Sequence, residues 1–159
     1  LFPFFATRIS VPPEAITTAM AVVAVGQLVS TPFWGWASDR VGRKPVIILT
    51  LFGSAVSWLM LGWAESIAML MASRLLAGLM SGITAVAFAA VADSVDGPER
   101  APVMGRIGAA LSLGFILGAA LGGLLAGSGE RTDYRVIAMA VAALDLLAAA
   151  LAWGMFRET

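Results

Sequence analysis

Charged residues in this 159-residue chain are confined almost entirely to short gaps between long apolar stretches. About 20 apolar residues in a helix cross the hydrocarbon core of a bilayer, so the pattern predicts five membrane-spanning helices. Abundant glycine, alanine and serine inside the stretches favour close helix packing in lipid, and nothing suggests the alternating strands of a barrel. The predicted spans are residues 15–38, 45–64, 66–92 (with Arg74 as its one charge), 107–129 and 136–156 (with Asp145 as its one charge).

The amino-acid composition excludes several classes of protein and several kinds of chemistry. Sixty per cent of residues are hydrophobic and 13 per cent are charged, too few polar groups to cover a water-soluble domain. Ten basic residues balance ten acidic ones, which gives no basic field for nucleic acid. Without cysteine or histidine, thiolate and imidazole chemistry is excluded, and no phosphate-binding Gly-Lys-Ser/Thr loop is present. We therefore expect an all-α integral membrane protein that is not an enzyme and has no metal or cofactor, in which a carboxylate carries any proton that moves.

The first residues are too short to form a span. Residues 1–6 are apolar and residues 7–13 contain two prolines, and the chain begins with neither an initiator methionine nor a signal-peptide pattern. We expect residues 1–6 to be the end of a preceding transmembrane helix, so that residues 1–159 form an incomplete amino-terminal six-helix domain.

Basic residues predict the orientation, since they are enriched on the cytoplasmic side of a cell-membrane protein. Placing residues 39–44 inside also puts the connection 93–106 inside. The basic residues are then Arg40, Arg43, Lys44, Arg100, Arg106 and Arg157 inside, and Arg8, Arg131 and Arg135 outside.

The most specific segment is GWASDRVGRKP at residues 35–45. Asp39 and Arg43 are four residues apart and can pair if the helix persists, while Gly42 permits a turn that a side chain would hinder. A basic loop that merely sets orientation is the simpler alternative. The segment resembles the loop signature between helices two and three of the major facilitator superfamily, whose fixed positions are matched here by Gly35, Asp39, Arg40, Gly42, Arg43 and Lys44.

The resemblance covers nearly the whole chain and implies the amino-terminal half of a twelve-helix transporter, with the five spans as helices two to six. It implies a cytoplasmic gate at residues 39–44 that holds the two halves together, with Asp39 facing a helix of the other half. Arg43 would also reach Asp93, and we hypothesise that this cluster stabilises the outward-open state.

Arg74 lies about 12 Å along its predicted helix, where an unpaired guanidinium is costly. It is expected to face a cavity or a partner, the alternative being that it snorkels to the outer surface. Arg74 and Gly78 resemble the family's helix-four pattern of arginine and glycine four residues apart, although Ala77 replaces a frequent glutamine. The resemblance implies a role for Arg74 in substrate or proton coupling.

Four glycines, three in the fourth span and one just before it, resemble the antiporter signature of the family, and their surroundings look like the same region of tetracycline-type drug/proton antiporters. Ala119 stands where that signature has proline, so the helix is expected to lack a kink. A groove for close helix packing would explain three of the four glycines. The matching residues are Gly105, Gly114, Gly118 and Gly122.

Two further polar residues fall inside the spans. Asp145 is expected near mid-bilayer, as a proton carrier or as the partner of a residue on a neighbouring helix. Gln27 is expected either to line the substrate pathway or to hydrogen-bond another helix.

These residues favour a proton-coupled antiporter that exports small amphipathic molecules by alternating access, driven by the proton gradient. A symporter importing a sugar, osmolyte or organic acid is an alternative within transport, and a non-transporting membrane receptor or packing subunit is one outside it. The expected partners are the lipid bilayer, a small-molecule substrate and the missing carboxy-terminal half.

Overall fold

A computed structural model of the chain describes residues 13–95, 97–126 and 134–155. The predictions for residues 1–6, Arg8, Arg131 and Arg157 lie outside these ranges. The described residues form six α-helices and one short 3₁₀ turn. They are α1 (Pro13–Val41), α2 (Arg43–Gly62), α3 (Ile67–Leu79), α4 (Ile83–Ser94), the 3₁₀ turn Gly97–Glu99, α5 (Arg100–Ala126) and α6 (Tyr134–Met155).

Five segments of the described chain are long and apolar enough to cross a membrane, which agrees with the five predicted spans. The observed helices confirm the all-α, multi-span class. The segments are Thr17–Val41, Arg43–Gly62, Ile67–Ser94, Gly97–Leu124 and Arg135–Gly154.

The connection between α1 and α2 is shorter than predicted. Asp39 and Arg40 still belong to α1, α2 already begins at Arg43, and Gly42 alone separates the two helices. Gly42 has φ 101° and ψ 154°, a conformation that is essentially restricted to glycine. Pro45 falls in the first turn of α2, where its missing N–H costs no helical hydrogen bond.

The span predicted over residues 66–92 is present as Ile67–Ser94, but the structure divides it into two helices, α3 and α4. Residues 80–82 between them form a turn. The Ser81 hydroxyl donates to the Gly78 carbonyl oxygen at 2.7 Å, and the Ser81 N–H bonds the same oxygen at 3.2 Å. Gly78 precedes this turn and Gly82 is its last residue, and both lower the helical preference of the segment.

The connection predicted over residues 93–106 is also shorter, since α5 begins at Arg100. Gly97, at φ 55°, starts the 3₁₀ turn between the helices. The Arg100 guanidinium then donates to the carbonyl oxygens of Ala92 (2.6 Å) and Val95 (3.1 Å) at the end of α4. A cation there satisfies carbonyls that have no partner within the helix.

Helix packing is organised around α2, which lies along α6 and also contacts α1, α3 and α4. The largest buried cluster lies where α1, α2, α4 and α6 meet, near the start of α2. A smaller cluster joins α2 to α3 near the end of α2. The larger cluster contains Trp34, Ala37, Val46, Ile47, Leu51, Val86 and Ala149, and the smaller contains Leu61, Ala64 and Leu70.

Candidate functional site

Arg43 is the centre of an ionic cluster at the end of the bundle that contains Gly42, called the Gly42 end below. Its Nη2 atom lies 2.6 Å from Asp39 Oδ1 and 2.7 Å from Asp93 Oδ2, and its Nε atom donates to Asp93 at 3.2 Å. A further hydrogen bond runs from Arg43 Nη1 to the Ser38 hydroxyl. The guanidinium therefore ties the end of α1 and the end of α4 to the start of α2.

The other predicted members of this segment have different neighbours. Arg40 lies over the ring of Trp36, 4.3 Å from the centroid, and Lys44 lies 5.2 Å from the ring of Trp153. An added Cβ at Gly35 would meet no atom within 4 Å among the described residues. Of the predicted gate residues, only Asp39, Arg43 and Asp93 form the ionic cluster.

Arg74 is buried between helices, with 9 per cent of its surface exposed. Its helix is capped by Ser66, whose hydroxyl accepts the Met69 N–H. The Arg74 guanidinium lies 5.3 Å from the centroid of Trp58 on α2, within range of a cation–π interaction. This burial disagrees with snorkelling to the surface and agrees with the expectation of a partner inside the bundle.

Asp145 lies half-buried on α6 and faces α2. Ser54 donates a hydrogen bond to Asp145 Oδ2 at 2.6 Å, the one side-chain hydrogen bond that Asp145 makes within the described residues. Both residues are near the middle of their helices, about 15 Å from the ends. A carboxylate at this depth is stabilised by a hydroxyl donor, and the same pair accommodates the protonated acid with the donor reversed.

Sequence reasoning missed that α2 contacts both membrane-embedded charges. Ser54 and Trp58 are four residues apart and therefore lie one turn apart on the same side of α2. Between them, the Ser57 hydroxyl donates to the Ser73 carbonyl oxygen at 3.1 Å, which fixes α2 against α3. The available signal was a hydroxyl and a tryptophan four residues apart in the middle of an apolar span.

Gly78, predicted from its spacing to Arg74, lies where α3 crosses α1. A Cβ at Gly78 would collide with the Val23 carbonyl oxygen and would lie 3.1 Å from Gly26 Cα. A Cβ at Gly26 would in turn lie 3.1 Å from Gly78 Cα. The two glycines permit a close backbone crossing, and only one of them was recognised from the sequence.

Helix α1 also satisfies carbonyl groups at the turn between α3 and α4. Ser30 donates to the Gly78 carbonyl oxygen at 3.0 Å, and Trp34 Nε1 donates to the Leu79 carbonyl oxygen at 2.6 Å. The Trp34 ring packs directly over Gly82, leaving no space for a Cβ there. Non-helical backbone is tolerated at membrane depth only where such partners exist.

The remaining predicted site residues, Gln27 and the glycines of α5, take no part in the interhelical contacts described above. The Gln27 side chain is exposed, and within the described residues its amide makes no hydrogen bond to another helix. The α5 glycines lie on a helix that is mostly exposed. Gly105, Gly114 and Gly118 have open space at the Cβ position among the described residues, whereas Gly122 is buried.

These features define a multi-pass membrane protein with ionisable side chains held between its helices, and comparison with known proteins gives the family. The sequence model of the Major Facilitator Superfamily matches residues 1–159. The chain belongs to the major facilitator superfamily, and its fold is half of the fold of that family.

Several curated proteins are similar to this chain. Tetracycline resistance protein, class B, of Escherichia coli is 34 per cent identical over 140 residues, covering 88 per cent of this chain and 34 per cent of its own length. Multidrug resistance protein 2 of Bacillus subtilis is 36 per cent identical over 141 residues, covering 88 and 34 per cent respectively. Tetracycline resistance protein, class D, of Salmonella ordonez is 40 per cent identical over 105 residues, covering 66 and 27 per cent. The chain thus spans about a third of the length of these relatives.

Proposed function

We propose that this chain is the amino-terminal part of a secondary transporter that exports small amphipathic molecules in exchange for protons. The observation that carries the proposal is the placement of two ionisable side chains, Arg74 and Asp145, at membrane depth against the same helix. Charges inside a membrane bundle are costly and typically mark substrate or proton pathways. The protein would act by alternating access in the cell membrane with its carboxy-terminal half.

Asp145 is proposed as the proton carrier. Its one described hydrogen-bond partner is the neutral Ser54 hydroxyl, so protonation removes a charge without breaking an ion pair. Arg74, held against Trp58, is proposed to bias the occupancy of proton and substrate through its fixed positive charge. The exposed amide of Gln27 on α1 is proposed as a polar contact for the substrate.

The Arg43 cluster is proposed as a gate on the cytoplasmic side, which places residues 39–44 and 93–106 in the cytoplasm. Arg43 holds Asp39 and Asp93 at 2.6 and 2.7 Å, so the first turn of α2 is fixed to α1 and α4. When this half rocks against the carboxy-terminal half, the cluster would stay intact as a rigid unit. The exposed part of the Asp39 side chain would be available to contact the carboxy-terminal half. Asp39 is 63 per cent exposed, which is consistent with such a contact.

The direction of export is supported by the glycines at positions 105, 114, 118 and 122 and by relatives named for tetracycline and multidrug resistance. One observation favours a second candidate, a symporter importing a sugar, osmolyte or organic acid. Helix α5 runs without a break from Arg100 to Ala126, with Ala119 in place of the proline of the antiporter signature. The two candidates differ in whether protons and substrate cross the membrane in opposite directions or in the same direction.

The test uses the complete protein in proteoliposomes that contain a pH-sensitive dye, with tetracycline and a lipophilic cationic dye as probe substrates. In an imposed pH gradient we expect substrate and protons to move in opposite directions. Asp145→Asn should abolish gradient-driven accumulation while leaving passive exchange of substrate. The matched control is Glu65→Gln, which neutralises a carboxylate that is 85 per cent exposed.

Substrate and protons moving in the same direction would establish the symporter instead. If the protein folded normally but no probe moved in response to the pH gradient, a receptor or packing subunit would be favoured. Proton-coupled export retained in full by Asp145→Asn across pH would exclude Asp145 as the carrier. The gate is tested separately by Asp39→Asn, for which an unchanged transport rate and an unchanged inward/outward population would contradict the proposed role.

A further inference from the structure

A cation and a tryptophan meet at each end of the pair formed by α2 and α6. At the Gly42 end, Lys44 Nζ lies 5.2 Å from the ring centroid of Trp153. At the opposite end, Arg135 Cζ lies 6.0 Å from the ring centroid of Trp63. Because α2 and α6 pack along one another in opposite directions, each helix contributes the cation at one end and the ring at the other.

The spacing of these pairs matches the thickness of a bilayer. Trp63, which caps the end of α2, follows Lys44 by 19 residues, and Trp153 follows Arg135 by 18 residues on α6. At 1.5 Å per residue the pairs are about 27–29 Å apart, close to the ~30 Å of the hydrocarbon core. Tryptophan and basic residues prefer the boundary between hydrocarbon and headgroups, so both pairs lie at headgroup level.

The two ends differ in charge. Arg135 has a carboxylate nearby, since its Nη2 atom lies 3.9 Å from Glu65 Oε1. Within residues 13–95, 97–126 and 134–155, no carboxylate lies within ion-pair distance of Lys44, and Asp39 and Asp93 at this end pair with Arg43. Arg157 and Glu158, which have opposite charges, lie outside those ranges.

The rings at the Gly42 end are accessible. Trp153 is 69 per cent exposed, and Trp36, which carries Arg40 over its ring at 4.3 Å, is 52 per cent exposed. This end therefore presents two cations, each without a carboxylate partner among the described residues and each beside an exposed indole. The charge complementary to such a surface at headgroup level is the phosphate of an anionic lipid.

We propose that Lys44 and Trp153 form a binding site for the headgroup of an anionic phospholipid in the leaflet at the Gly42 end. The Lys44 ammonium pairs with the phosphate group, and the Trp153 indole lies against the glycerol and upper acyl chain, with Arg40 adding positive potential alongside. The site rests on the membrane embedding of the chain and not on the proposed transport.

The experiment measures quenching of Trp153 fluorescence by brominated lipids in the full protein. Every other tryptophan is replaced by phenylalanine, and brominated phosphatidylglycerol is compared with brominated phosphatidylcholine. We expect the relative association constant to favour phosphatidylglycerol by about fivefold, the effect of one basic residue near the surface. Lys44→Gln should reduce the ratio towards one. A protein in which Trp63 is retained instead should show little preference, because Glu65 lies beside Arg135.

Native mass spectrometry provides a second measurement that leaves all tryptophans in place. Lys44→Gln should lose phosphatidylglycerol adducts relative to the unaltered protein, whereas Glu65→Gln should not. Equal quenching of Trp153 by the two lipids would overturn the proposal. Absence of quenching by either lipid would also overturn it, since it would show that protein, rather than lipid, covers this end.

Discussion

Replacing Gly78 by alanine tests the close crossing of α1 and α3 most directly. The added Cβ would collide with the Val23 carbonyl oxygen and would lie 3.1 Å from Gly26 Cα. Both obstacles are backbone atoms, so no side-chain rotation relieves the contact and the helices must separate. Overpacking of this kind costs about 1–3 kcal/mol.

Two further terms adjust that figure. Separation of the helices lengthens the hydrogen bond from Ser30 to the Gly78 carbonyl oxygen, now 3.0 Å, and side-chain hydrogen bonds between membrane helices contribute about 0.6 kcal/mol on average. Alanine in place of glycine favours the helix by about 0.5–1 kcal/mol. These terms nearly cancel, so we expect Gly78→Ala to lower the free energy of unfolding by about 1–3 kcal/mol.

The assay is reversible unfolding of the full protein in mixed micelles, followed by circular dichroism at increasing sodium dodecyl sulfate. Gly35→Ala is the matched control, because Gly35 is also helical and an added Cβ there has no described atom within 4 Å. It should be neutral or slightly stabilising. If Gly78→Ala unfolded at the same detergent fraction as Gly35→Ala, the crossing would not be as close as described and the reasoning would be refuted.

Two other substitutions test local backbone features by the same unfolding assay. Gly42→Ala should destabilise the protein by about 1–3 kcal/mol, because alanine is strained at φ 101° and ψ 154°; an unchanged midpoint would show that the α1–α2 turn is different. Trp34→Phe removes the donor to the Leu79 carbonyl oxygen (2.6 Å) and should lower the free energy of unfolding by about 1–2 kcal/mol. It should also speed hydrogen exchange in residues 80–83, whereas destabilisation without faster local exchange would indicate a packing effect only.

The spans were predictable because a bilayer imposes a simple requirement of length and apolarity. The pairing of Arg43 with Asp39 and Asp93 followed from spacing and from the family resemblance, and the structure contains both contacts. The glycine at position 42 also indicated a turn, although α1 extends to Val41 and α2 begins at Arg43, closer to Gly42 than the predicted span ends. Charges delimit a span poorly at its ends, because helices continue into the headgroup region.

The turn between α3 and α4 was not predictable from hydropathy, which stays high across residues 66–92. The turn depends on donors from another helix, Ser30 and Trp34, that satisfy the carbonyls released by the break. The partners of the membrane charges were hidden for the same reason. Ser54 and Trp58 are a hydroxyl and a tryptophan within an apolar span, a pattern that does not identify their partners. Packing in the structure places Asp145 and Arg74 against them.

Helix α2 connects the residues to which the proposed function assigns roles. Its first residue, Arg43, holds the gate cluster, and its middle contacts Asp145 through Ser54 and Arg74 through Trp58. A helix transmits displacement along its axis, so no relay of side chains is needed between the gate and the membrane charges. Protonation of Asp145 changes its bond to Ser54, and any resulting shift of α2 alters the position of Arg43 directly. On the proposed mechanism, proton occupancy and gate geometry are therefore linked by one rigid element.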